Sequence, residues 1–187
     1  MDYPSLYQMF REVSTINGSK LAFKHKRDGN WFDVTWTEAR ETVQRVSKSL
    51  IALEIEKGSK AAILSQTRLE WSLCDFGIVS CGVVTVGIYP SNLPAGCAYI
   101  LDHSDAEIVF VEDAEQLAKV LEVRGQLPNL KHIVIFDGPS EPDRGVGAHQ
   151  QRQRGERVEA QLRNAEPDKE VEQGDEQETG SELGLHA

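Results

Sequence analysis

Residues Val83 to Asp113 constrain the fold more than any other stretch of this chain. A β-branched apolar run ends at Tyr89-Pro90, a short segment containing Tyr99-Ile100-Leu101 is opened by Pro94, and a second apolar run follows at Ile108 to Val111. β-branched runs favour strands, and proline is tolerated at the first position of a helix, so the order is strand, helix, strand. Such a crossover is what two parallel strands require, and a parallel sheet covered on both faces makes its strands continuously apolar.

The chain before this unit approaches the same sheet. Leu6 and Phe10 lie on one side of a short helix, and Leu21 to Lys26 and Trp31 to Trp36 are two strands joined through Asp28-Gly29-Asn30. An Asp-Gly pair between strands predicts a hairpin. Phe32, Val34 and Trp36 share one face of its second strand, while Trp31, Asp33 and Thr35 share the other. A helix begins near Thr35 or Thr37, with Thr35-x-x-Glu38 matching a capping box, and Val43, Val46, Leu50 and Leu53 form one stripe of it. Lys60 to Ser65 is a buried strand, and Thr67-x-x-Glu70 is a second match to the capping box. No glycine lies between Ser65 and Glu70 to let a phosphate approach the backbone, so ordinary capping is favoured there over an anion site. Gly82 closes the helix. After the βαβ unit, Ala114, Leu117, Ala118 and Leu121 recur at helical spacing, Gly125 is a C-terminal stop, and Lys131 to Phe136 is a fourth buried strand. The expected fold is α/β: a partial Rossmann-like parallel sheet of four strands alternating with three helices, preceded by a β-hairpin. Strand order is not legible.

Composition excludes several classes. The net charge of −10 repels a nucleic-acid backbone. Cys74, Cys81 and Cys97 include no Cys-x-x-Cys, which fits neither a disulfide scaffold nor a zinc site and suits a reducing cytoplasm. The N-terminus has no basic region followed by an apolar one, so no secretory signal is expected. Trp71 to Tyr89 is long and largely apolar, but Gly77, Gly82 and Gly87 punctuate it, and a buried helix followed by a buried strand explains it better than a membrane span.

The chain changes character at Gly138. All thirteen aromatic residues lie at or before Phe136, and residues 138–187 hold twelve acids against six bases, with six large aliphatics. Ordering fifty residues costs far more than burying six aliphatics returns. The domain expectation is a subdomain over 1–137 and a disordered acidic tail over 138–187. A change of reading frame near Gly138 would produce such a break.

Several segments together resemble the AMP-forming long-chain fatty-acid–CoA synthetases of the adenylate-forming superfamily: Val34-Thr-Trp-Thr-Glu38, Arg68-Leu-Glu-Trp71, Gly82 to Pro90, Ala98 to Ala106, and Val109-Phe-Val-Glu-Asp113. The resemblance runs from about Leu6 to Asp137. Thr67 stands where these enzymes commonly have Asn, and Leu69 and Gly87 where proline is frequent. It implies a reaction in which a fatty acid is adenylated with ATP and Mg²⁺, then transferred to coenzyme A. It further implies that this region helps wall the acyl site and contributes to dimer contacts.

The family's chemical motifs fall later than Asp137: a Ser/Thr/Gly-rich phosphate loop ending in Lys-Gly, a Tyr-x-x-Thr-Glu segment, a ribose-binding Asp and a catalytic Lys. Glu178-Thr-Gly-Ser-Glu-Leu-Gly184 lacks both the Thr-Thr-Gly core and the lysine. No residue is therefore assigned a catalytic, cofactor-binding or metal-binding role, and no cofactor is expected for this chain, with ATP, Mg²⁺ and coenzyme A belonging to the full-length family. Asp102-His103-Ser104-Asp105 has triad residue types, but sequential neighbours point apart, so a helix end is expected. The five histidines show no metal-ligand spacing.

The expectation is the N-terminal portion of a long-chain fatty-acid–CoA ligase, incomplete on its own, with an exposed apolar face or strand edge. The alternative is a non-enzymatic module pairing with a full-length synthetase. Expected partners are a second copy or a full-length synthetase, with fatty acid in the family context, no nucleic acid and no transmembrane segment.

Overall fold

The computed structural model describes residues 3–27 and 29–138. Helix α1 (Leu6–Asn17) leads into the antiparallel hairpin of β1 (Leu21–Arg27) and β2 (Asn30–Thr35), followed by α2 (Trp36–Ala52). Four strands, β3 (Lys60–Leu64), β4 (Val84–Ile88), β5 (Ala106–Val111) and β6 (His132–Ile135), then alternate with α3 (Leu69–Ser80), α4 (Pro94–His103) and α5 (Ala114–Glu122). All pairings among these four are parallel, and their order is β4-β3-β5-β6. The α/β reading of the sequence, with its hairpin and four-stranded parallel sheet, is the fold observed.

The chain moves from β3 outward to β4, then back across β3 to β5 and on to β6. Crossovers of one hand must then lie on opposite faces for opposite directions of travel. Packing shows this. Ala61, Ile63, Ile108 and Phe110 meet Leu50 of α2 with Cys74 and Ile78 of α3, whereas Ala62, Leu64, Val109 and Val111 meet Cys97 and Leu101 of α4 with Val120 of α5. Alternation along each strand supplies both faces. A third cluster ties the N-terminal elements on: Phe10, Ala39, Val43 and Leu73 are buried, with Phe23, Val34 and Trp36 against them.

Local chemistry sets the boundaries. Thr35, not Thr37, caps α2: its hydroxyl accepts from Glu38 N at 3.3 Å, while its own N–H donates to Glu38 Oε2 at 2.7 Å. Pro94 occupies the first turn of α4, and Gly82 ends α3 at φ +70°, a conformation glycine adopts without steric cost. Trp71 to Tyr89 divides into α3 and β4, and among the described residues no helix is long and apolar enough to cross a membrane.

Three local expectations change. Thr67 does not cap α3. Arg68 stands at the N-cap in extended conformation, with no side-chain cap hydrogen bond, and Glu70 turns to Arg68 instead. A charge-assisted bond outweighs a neutral one, so the Ser/Thr-x-x-Glu match fails here. Gly125 lies within a short 3₁₀ turn, Arg124–Gln126, that follows the end of α5. Leu6 is half exposed, leaving Phe10 to anchor α1. The expectation of a disordered tail over 138–187 lies, apart from Gly138, outside the described residues.

Candidate functional site

In an open parallel sheet, ligands bind outside the carboxyl ends of the strands, where adjacent strands send their following helices in opposite directions. Here that point lies between β3 and β5. The chain leaves β3 through Ser65 to Arg68 toward α3 on one face, and leaves β5 through Glu112 and Asp113 toward α5 on the other. The parallel ladder continues past the strand ends: Glu112 N–H donates to Leu64 O at 3.0 Å, and Asp137 N–H donates to Glu112 O at 2.8 Å. Ser65, Glu112 and Asp137 are thereby set side by side.

Arg68 reaches across all of them. Its Nε donates to Glu70 Oε2 at 2.7 Å, its Nη1 to Glu112 Oε1 at 3.5 Å, and its two terminal nitrogens form a fork on the Asp137 carboxylate. The other oxygen of Glu112 accepts from Gln66 N–H at 2.7 Å and Ser65 Oγ–H at 3.4 Å. The Arg68 side chain is only 21% exposed. The Asp137 fork, with Glu70 beside it, drives the Arg68 pKa up against the cost of burial. The Asp137 carboxyl is correspondingly held down by that fork. Burial pushes the Glu70 carboxyl up, but the bond from Arg68, the backbone N–H and the Arg68 charge together bring it below its ordinary value.

Between this cluster and β1 lies an open crevice of about 770 Å³, with Lys24, Lys26, Arg27 and Trp31 on its far wall. It does not fit a triphosphate. The Arg68 donors are taken by carboxylates, Glu112 already occupies the Gln66 N–H that an anion would use, and three acidic groups line the approach. Among the described residues no group of three His, Cys, Asp or Glu could hold a metal ion.

A second opening is apolar. On the α2 and α3 side of the sheet, a groove of about 970 Å³ runs over β5 and β6, floored by Ile108, Phe110, Val134 and Phe136 and walled by Leu50 and Leu73. Phe110 and Phe136 stack with ring centroids 6.1 Å apart. Among the described residues, β6 is paired only on its β5 side. Ile108 and Phe110 are buried beneath α2 and α3 and Val134 and Phe136 are partly buried, so the groove is a covered seam rather than an exposed apolar face.

Other sequence candidates resolve as structure. His103 ends α4 and stacks on Tyr99, Ser104 Oγ donates to Leu101 O, and Asp105 accepts from Asn129. These residues form no triad. Cys74 is buried within α3 and Cys81 caps its end, so both belong to one packed helix face, and all three cysteines are free. The Arg68 cluster was missed in the sequence. Its signal was an acid directly after two buried apolar runs, Val111-Glu112 and Phe136-Asp137, with an arginine shortly after a third.

A parallel sheet with helices on both faces and its carboxyl edge closed by ion pairs, preceded by a hairpin packed on α1 and α2, defines a doubly wound α/β domain. Residues 10–177 match the AMP-binding enzyme family, and the chain belongs to that family. It is 32% identical over 132 residues to a long-chain-fatty-acid–CoA ligase (ACSBG2) of Xenopus laevis, covering 71% of this chain and 18% of that protein. With a long-chain-fatty-acid–CoA ligase (FadD15) of Mycobacterium bovis the identity is 32% over 142 residues, covering 68% and 24%. The chain thus spans about a fifth to a quarter of the length of these relatives. The crystal structure of the anthranilate CoA ligase AuaEII in complex with anthranoyl-AMP superposes with a TM-score of 0.64 at 25% identity, over 72% of this chain and 25% of that one.

Proposed function

We propose that residues 3–138 are the N-terminal scaffold of a long-chain fatty-acid–CoA ligase, and that the 187-residue chain alone does not form acyl-CoA. The observation that carries the first part is 32% identity over 132 and 142 residues to long-chain fatty-acid–CoA ligases, in the N-terminal part of those proteins. The second part is supported by the occupied switch point: Arg68 is committed to carboxylates, and Glu112 holds the backbone donor. Adenylation needs donors and cations free to meet a triphosphate and the charge that develops on it. ATP, Mg²⁺ and coenzyme A act in the complete enzyme, through segments that carry the phosphate loop and the catalytic lysine. The scaffold contributes the groove over β5 and β6, onto which those further segments, a full-length relative or a second copy would pack. Three unpaired thiols suit the cytoplasm.

Two measurements test this. The purified chain, incubated with palmitate, ATP, Mg²⁺ and coenzyme A, yields no acyl-adenylate and no palmitoyl-CoA by mass spectrometry; turnover would overturn the claim of inactivity. Residues 3–138 grafted in place of the matching part of the Mycobacterium bovis relative restore acyl-CoA formation. A folded but inactive chimera would overturn the scaffold assignment.

A further inference from the structure

β4 stands outermost in the order β4-β3-β5-β6 and is paired, among the described residues, only with β3, in unbroken register from Val84 to Ile88. Between Asp75 and Asp102 no residue is charged, the longest such run in a chain whose net charge is −10. That run takes in all of β4 and α4 as far as Leu101. Large hydrophobic side chains stand in solvent along it: Val84 on β4 is 52% exposed, Tyr89 just past its end 80%, and Leu93 at the N-cap of α4 75%. Native sheets blunt an edge with charge, a bulge or a covering segment, and β4 carries neither charge nor bulge. The other edge differs, since β6 is flanked by Lys131 and Asp137 and the chain continues from its end. The backbone of β4 also has groups to offer. Gly58 N–H donates to Gly82 O and Val84 N–H to Ser59 O, both at 2.9 Å, which turns the even-numbered residues toward β3. Alternation along the strand directs the N–H and C=O of Thr85 and Gly87 outward.

We propose that the outer edge of β4 pairs with the same strand of a second copy, antiparallel about a two-fold axis at Val86, joining two four-stranded sheets into one. A two-fold axis normal to the sheet runs the two strands in opposite directions and makes the interface isologous. Centred on Val86, it sets Thr85 opposite Gly87 of the second copy, so the outward N–H and C=O of each meet those of the other. Val84 then lies across from Ile88 of the second copy, and Tyr89 across from its Val83. Directly opposite residues share a face, so the exposed side chains at both ends of β4 are covered. Charge selects a copy of this chain as the partner. Two chains of net charge −10 repel across most of their surface, and along this uncharged run they approach without like charges facing each other. A charged strand from another protein would bury its charge against Val84 and Ile88 with no counter-charge. The edge is separate from the groove over β5 and β6, and the pairing does not rest on the ligase reading.

The test uses the 187-residue chain, with mass read by sedimentation equilibrium and backbone protection by amide exchange in NMR spectra. The expected result is a mass that rises with concentration from that of one chain to that of two and no further. The Thr85 and Gly87 amides exchange more slowly in the dimer, while those of β6 keep their rates. Val84→Lys weakens dimerisation at least about tenfold, because it brings a charge into an interface that offers no partner. Val84 is half exposed in the single chain, so the variant keeps its fold, checked by an unchanged helical circular dichroism signal. Val84→Thr retains the dimer, and Ile51→Lys, which places the same charge on an exposed position of α2, leaves the dissociation constant unaltered. A single-chain mass at about 100 µM, where association of micromolar affinity is nearly complete, overturns the proposal. So does growth beyond two chains, which would set β4 against β6 of the next copy, full dimerisation by Val84→Lys, or protection gained along β6 instead of at Thr85 and Gly87.

Discussion

Arg68 and Asp137, 69 residues apart in the chain, meet through two hydrogen bonds, Nη1 to Oδ2 at 2.5 Å and Nη2 to Oδ1 at 3.1 Å. The fork joins the start of α3 to the end of β6, and the same guanidinium holds Glu112 after β5. Replacing Arg68 with alanine leaves Glu70, Glu112 and Asp137 clustered without their shared cation. The expected loss is ~2 kcal/mol, between the values for exposed and for fully buried pairs. Arg68→Lys recovers only part of it, because an ammonium cannot form the fork. Urea midpoints measure both, and an unchanged midpoint in Arg68→Ala would show that the cluster contributes nothing.

The same cluster gives stability a defined dependence on acid. The Asp137 and Glu70 carboxyls titrate lower in the folded protein than in the unfolded chain. Unfolded carboxyls titrate near pH ~4, so the contribution is complete above that value and is lost as pH falls through the depressed folded values. Between about pH 5 and pH 3 the urea midpoint of the parent protein should therefore fall more steeply than that of Arg68→Ala. Parallel pH profiles would contradict this origin.

Two threonines with the same sequence motif should respond differently to alanine. Thr35 completes a reciprocal cap with Glu38, and its backbone N–H is the foremost cause of the lowered Glu38 pKa. Thr35→Ala should cost about 1 kcal/mol and Thr35→Ser little. Thr67→Ala should be near neutral, since α3 begins at Arg68 without a side-chain cap. Equal losses at the two sites, measured by thermal denaturation, would refute the structural distinction.

These contrasts show what the sequence could carry. The hairpin, the start of α2, the first turn of α4 and the end of α3 were legible because their determinants are local: Asp28-Gly29, Thr35 with Glu38, Pro94, and Gly82. The Arg68 site depends on β5 lying next to β3 while β4 stands outside, and strand order is not a local property. Glu112 and Asp137 therefore read as unrelated acids after unrelated strands. Thr67 misled for a related reason: the motif does not register a stronger partner, Arg68, lying between its two ends. The groove over β5 and β6 was not legible, because its walls come from α2 and α3, whose placement also follows from strand order.

Burial sorts the three thiols. Desolvation raises the Cys74 thiol far above its ordinary pKa, with Asp75 adding to the effect, and burial also raises Cys97. Both are buried, whereas Cys81 at the end of α3 is partly exposed. The thiolate is the reactive form, so native protein should release one equivalent from a disulfide reagent, at Cys81, and all three after denaturation. Rapid native labelling of Cys74, located by peptide mapping, would contradict its burial.

The contact between α2 and α3 leaves no room for a methyl group at Gly77. A Cβ built there lies 2.5 Å from Val46 Cγ1, 2.6 Å from Val46 Cβ and 3.3 Å from the Val43 carbonyl oxygen. Ser47 reinforces the approach, its hydroxyl lying 3.3 Å from Gly77 O and also bonded to Ser80. Val46 is β-branched and cannot swing clear by a small rotation, so the helices must separate. Gly77→Ala should thus destabilise by ~1–3 kcal/mol, although alanine favours a helix more than glycine does. Val46→Ala removes Cγ1, the nearer of the two clashing side-chain atoms, but keeps Cβ, so the double variant should be more stable than the sum of the two single losses allows by only part of the Gly77→Ala cost. Urea denaturation of the four proteins decides the matter. Strict additivity would mean that the Gly77 methyl is accommodated elsewhere and that the α2–α3 contact does not need glycine.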